Sequence, residues 1–166
     1  MKTRYRKLAR GFSLVEVAVA TIIIGLGVAA LMVSVGAGTR TNNEGMKLTE
    51  AVFLAQEMRE WTLKLPFVDP NLPNSPPGPE GSENPQVSVD DLDDLMNVTY
   101  SPPRNGQGSP ITDMAGWSQH ITITWQDENS LALTVSNGSS NFVYVEVRIA
   151  YQGQEVLTTG WLVARR

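Results

Sequence analysis

Cysteine is absent from the 166 residues, and histidine occurs once, as His120. The first absence excludes a disulfide framework, a thiolate metal site and a cysteine nucleophile. The second excludes paired-histidine zinc sites of the H-E-x-x-H kind. Proline is missing from both ends, since all ten prolines lie between Pro66 and Pro110. Basic charge is scarce beyond the N-terminus. Lys2, Arg4, Arg6, Lys7 and Arg10 make up five of the 13 Lys and Arg, and no acid accompanies them. A net charge of -4 argues against nucleic acid as a partner, because phosphate binding needs a concentrated basic surface. The length allows one ordinary domain.

What is present is unevenly placed. An apolar run extends from Val17 to Val35, broken only by Thr21, Ser34 and glycines. A run near twenty residues is long enough to span a bilayer. The basic residues before it hold that end in the cytoplasm. One reading is a secretory signal peptide cut after Ala37 or Gly38, but such a signal has a shorter apolar core. Glu16, near the start of the run, also counts against it. A second reading is an uncleaved signal anchor carrying a periplasmic binding module that does not polymerise.

A third reading accounts for more residues. The basic leader ends in Gly11, and Phe12 begins G-F-S-L-V-E-V with Glu16 four residues on. This boundary resembles the N-terminal signal of type IV pilins and type II secretion pseudopilins, most of all minor subunits of the PilV and GspI type. The resemblance implies a leader of residues 1–11, cut by prepilin peptidase between Gly11 and Phe12, with N-methylation of the new first residue. It also implies other pilins, an inner-membrane assembly platform and membrane lipid as partners. The protein would be single-pass in the bacterial inner membrane, its head periplasmic, before entering a pilus or pseudopilus. The C-terminal disulfide of many pilins is missing, which points to a minor subunit. Removing the leader takes five basic residues and no acid, moving the net charge from -4 to -9.

Glu16 has a physical role in that reading. A carboxylate inside a membrane helix is costly and usually functional. Cleavage would create an amine at Phe12, four residues away and on the same helix face. Glu16 of one subunit could then receive the amine of a neighbour and set the axial register.

Apolar positions recur at Leu48, Ala51, Leu54, Ala55, Met58, Trp61 and Leu65, which is helical spacing. One helix is expected from about Phe12 to about Leu65, on the order of 80 Å long and stopped by Pro66. Residues 12–38 would form its membrane or filament-core half and 39–65 its amphipathic half. Gly36-Ala37-Gly38 marks a place for a bend.

Residues 66–116, rich in Pro, Gly, Ser and Asn, read as a variable loop. Its cluster Asp90, Asp91, Asp93 and Asp94 offers hard oxygen ligands suited to calcium, but the spacing does not match an EF-hand. A solvated acidic turn is the plainer reading. No other cofactor is expected.

Residues 117–166 change to period two. Runs at 120–125, 131–135, 142–151 and 157–163 are separated by turn-rich breaks and read as a four-stranded antiparallel meander covered by the helix. The expected fold is α+β: a long N-terminal helix on a small C-terminal antiparallel sheet. Glu146 and Arg148 share one face and are expected to pair. No serine triad, phosphate loop or paired acid and base emerges, so no enzyme is expected.

Overall fold

The computed structural model describes residues 11–81 and 83–165. The basic leader positions 1–10 lie outside the described residues. The chain divides into two units, Met1–Gly45 and Met46–Arg166. Helix α1, Leu14–Thr62, contributes to both. The sheet follows as β1 Val98–Tyr100, β2 Trp117–Trp125, β3 Phe142–Tyr151 and β4 Gln154–Ala164. All neighbours are antiparallel, in the order β1-β2-β3-β4. This is the expected pilin-like α+β arrangement.

In the first unit, every residue from Gly11 to Gly45 is exposed. The helix carries its apolar side chains on all sides here, so they need a cover other than this chain. Its threonine hydroxyls are already spent: Thr21 donates to the Val17 carbonyl at 2.8 Å, Thr39 to Val35 at 3.0 Å and Thr41 to Ala37 at 3.1 Å. Such back-bonding satisfies a hydroxyl where water is absent. The helix runs through Gly36 and Gly38 without interruption.

In the second unit, α1 buries Ala51, Leu54, Ala55, Met58, Trp61 and Thr62. The three-and-four spacing puts these on one face, which packs on the apolar face of the sheet. Leu48 continues the spacing but stays 47% exposed, so the working stripe begins at Ala51. The helix ends before Pro66. Lys64 N–H bonds to the Trp61 carbonyl in a tighter turn, and the buried Thr62 hydroxyl donates to Arg59 O at 3.0 Å while accepting from Trp161 Nε1 at 3.2 Å.

The sheet face is built by alternation. Ile121, Ile123, Trp125, Val143, Val145, Val147 and Ile149 are buried, as period two requires. Register aligns Val98, Ile121, Val147 and Thr159 across the four strands. The β3–β4 hairpin turns on Gln152 and Gly153, both with positive φ, the backbone that matches strand twist in a two-residue loop.

Three expectations about the sheet fail. Residues 131–135 do not form a strand; only Thr134 bridges, to Gln126, and Leu131 and Leu133 are exposed. The Asp127 carboxylate accepts from the amides of Asn129 and Ser130 and folds the segment into a turn instead. The fourth strand is β1, inside the stretch read as loop. Residues 66–116 also hold a 3₁₀ turn at Asp93–Leu95, and Leu92, Leu95, Val98 and Tyr100 are buried in the core. The expected Glu146–Arg148 pair is replaced by Arg148–Glu155 at 3.3 Å, because Glu155 lies on the adjacent strand β4.

The loop after β1 clamps the end of α1. Gly106 N–H donates to Glu57 at 2.5 Å, and Lys64 Nζ reaches Gly106 O at 2.9 Å. Arg104 lies over the Tyr100 ring, 4.9 Å from its centroid, and Tyr100 sits 5.7 Å from Trp61.

Candidate functional site

The start of α1 holds the residues singled out for processing and register. Gly11 and Phe12 precede the helix and are exposed, Phe12 by 83%. Ser13 caps it: the Ser13 hydroxyl accepts the Glu16 amide at 3.2 Å, and Ser13 O accepts the Val17 amide at 3.2 Å. The order Ser13-x-x-Glu16 has the form of a capping box. Glu16 therefore stands in the first turn, where the helix dipole favours negative charge. A cap at Ser13 was not read from the sequence, although S-x-x-E was visible there.

The acidic residues of the loop converge in the second unit. Asp90, Asp91, Asp93 and Asp94, grouped by sequence, fall into two neighbouring sets. Asp91 and Asp93 meet Glu80, while Asp90 and Asp94 meet Glu83; Asp69 joins Glu80 and Glu83 in a third set. Within each set one ligand atom per residue lies within 4.8 Å of the others. Asp69, Glu80 and Glu83 were missed, because only the fold of the loop brings Glu80 to Asp91, Glu83 to Asp94 and Asp69 to both glutamates. A solvated acidic turn is not what forms: Asp69, Asp91, Asp93 and Asp94 are buried.

Backbone and side-chain donors hold these carboxylates in place. Asp91 Oδ1 accepts from the amides of Asp93 and Asp94 at 3.0 and 3.2 Å. Asp93 Oδ2 accepts from Gly78 N–H at 2.8 Å, and Asp94 Oδ2 from Asp90 N–H at 3.1 Å. The Ser75 hydroxyl donates to Glu80 Oε1. Burial first, then Asp93, pushes the Asp91 carboxyl up to about 8. Burial also raises Asp94, against the hydrogen bond it accepts from the Asp90 amide. Packing negative charge into a dry site without a cation disfavours ionisation.

His120 faces Thr99 on β1 and is hydrogen-bonded to that hydroxyl, Nδ1 and Oγ1 lying 2.8 Å apart. It plays a cross-strand role and joins none of the acidic sets.

Residues 6–32 match the family model described as Prokaryotic N-terminal methylation motif. This is the prepilin-peptidase motif of type IV pilins and pseudopilins, and the likeness over these residues supports a pilin-like protein. The motif belongs to a structural, non-enzymatic family, whose members associate with other pilins and with prepilin peptidase. With the apolar helix it fits a membrane-anchored protein. No curated protein and no solved structure matches the chain.

Proposed function

We propose that this chain is a minor pilin or pseudopilin, a structural subunit rather than an enzyme. The observation that carries this reading is the methylation motif over residues 6–32, leading directly into a helix whose apolar side chains are exposed on all sides. Prepilin peptidase cuts between Gly11 and Phe12 and methylates the amine of Phe12. The mature helix then has a cationic start four residues from Glu16, and Ser13, its cap, becomes the second residue.

Two steps follow from the chemistry of that start. In the inner membrane the helix anchors the subunit while the head lies in the periplasm. In the filament, apolar helices bundle and cover one another. Glu16 meets the Phe12 amine of a neighbour there, since an unpaired carboxylate in such a core is strongly disfavoured. A place in the initiating tip complex suits a subunit without a disulfide to bear mechanical load.

Mass spectrometry of the native protein tests this. The expected mature chain begins at N-methylated Phe12. A chain still carrying Met1, or one starting near Thr39, would refute it and leave an anchored module that does not polymerise.

A further inference from the structure

The buried acidic group in the stretch of chain that links α1 to β1 has the construction of a cation site. Asp91, Asp93 and Asp94 are 0%, 4% and 1% exposed. Each keeps a buried oxygen without a hydrogen-bond partner: Asp91 Oδ2, Asp93 Oδ1 and Asp94 Oδ1; Glu80 Oε2 is a fourth. Three of these four belong to one set, Glu80–Asp91–Asp93. In each of those three residues the second oxygen is occupied, by Ser75, by the Asp93 and Asp94 amides, and by the Gly78 amide respectively. One oxygen of each carboxylate is thus oriented by the protein and the other is left open. Buried acceptors without partners are rare and costly in a folded protein. Among the described residues, none of these carboxylates is in an ion pair with Lys or Arg.

We propose that Glu80, Asp91 and Asp93 bind a calcium ion. The 4.8 Å limit on their mutual separation is met by oxygens on one ion at calcium's usual distances of about 2.3–2.6 Å. The set has no sulfur or imidazole, which disfavours zinc and copper. Magnesium keeps several waters and takes one or two carboxylates, so a buried set of three suits calcium better. Asp90 and Asp94, with Glu83, and Asp69, which shares Glu80 and Glu83, surround the ion with further negative charge.

The ion would join stretches of chain that no regular element connects. Glu80 lies in the proline-rich part of the loop, whereas Asp91 and Asp93 flank Leu92, which is buried in the core. Calcium therefore fastens residues 69–94 onto the head.

The test uses the full chain in detergent, stripped with chelator. Titration calorimetry with calcium chloride should give saturable binding, and calcium should raise Tm by roughly 5–10 °C over chelator. Limited proteolysis within residues 69–94 should slow several-fold with calcium. Asp91→Asn and Glu80→Gln should lose the binding and the Tm response while circular dichroism stays unchanged. If either variant fails to fold, the wild-type titration still decides. Absence of calcium binding by the wild type at millimolar concentration overturns the proposal. So do equal binding of magnesium and retention of binding by a folded Asp91→Asn variant. None of these readouts depends on cleavage at Gly11.

Discussion

The side-chain amide of Gln119, wholly buried on the apolar face of β2, reaches the carbonyl oxygen of Leu54 in α1 at 3.0 Å. The same nitrogen donates to Arg104 O at 3.1 Å, and Oε1 accepts the Arg104 amide at 2.6 Å. One polar side chain in the core therefore ties helix, sheet and the Arg104 loop together, with each of its polar atoms bonded.

Gln119→Ala should destabilise the head by about 1–3 kcal/mol, since it orphans the part-buried Arg104 amide. Urea unfolding followed by tryptophan fluorescence measures this. A loss under about 0.5 kcal/mol would show that water or loop movement replaces these bonds.

Leu54 and Leu48 share a helical spacing, but only Leu54 is in the core. Leu54→Ala should cost about 2–5 kcal/mol. Leu48→Ala should stay within about 0.5 kcal/mol, as exposed substitutions do. Equal losses on thermal unfolding would contradict the limit of the core at Ala51.

Two glycines are held by aromatic rings. At Gly160 a Cβ would collide with the Tyr144 hydroxyl and approach Val145 O to 2.7 Å; at Gly108, with φ +76, it would come within 2.7 Å of the Trp61 ring. Gly160→Ala should lower stability by about 1–3 kcal/mol by overpacking. Gly108→Ala should do likewise and shift Trp61 fluorescence. Unchanged unfolding midpoints would disprove both contacts.

Tyr100 donates its hydroxyl to Pro85 O at 2.8 Å. Burial raises its phenol from 10.0 to about 12, against the pull of Arg104. The folded state thus keeps a proton that the unfolded chain gives up near pH 10. The resulting stability is complete below pH 10 and is lost as pH rises toward about 12. Denaturant midpoints across that range should fall in the wild type and fall less in Tyr100→Phe. A lower phenolate absorbance at pH 10 in folded Tyr100→Phe than in the folded wild type would reject this.

Capping and register roles at the helix start can be separated. Ser13→Ala removes the cap and should cost about 1 kcal/mol of helix stability while leaving filament incorporation intact. Glu16→Gln keeps the size and removes the charge; it should still be processed yet fail to incorporate. Subunits in sheared filaments, quantified by immunoblot, provide the measurement. Normal incorporation of Glu16→Gln would end the register role.

Much of the fold was legible because local pattern carries it. A basic leader before Gly11, an apolar run and two long period-two segments need only neighbouring residues to be read. β1 was not legible, since Val98-Thr99-Tyr100 is too short for a period and is a strand only through its pairing with Gln119–Ile121. Residues 131–135 misled for the opposite reason: alternation was present, but the Asp127 turn gave the chain another place for its hydrogen bonds.

By itself the sequence determined the basic start, the helix and the two-period strands, because hydrophobic spacing and charge order act over a few residues. Tertiary structure alone decided that Gln119 is a core residue and that Glu80 meets Asp91 and Asp93. Those relations join positions far apart in the chain, and burial, which makes an unpaired carboxylate costly, exists only once the loop has closed on the sheet.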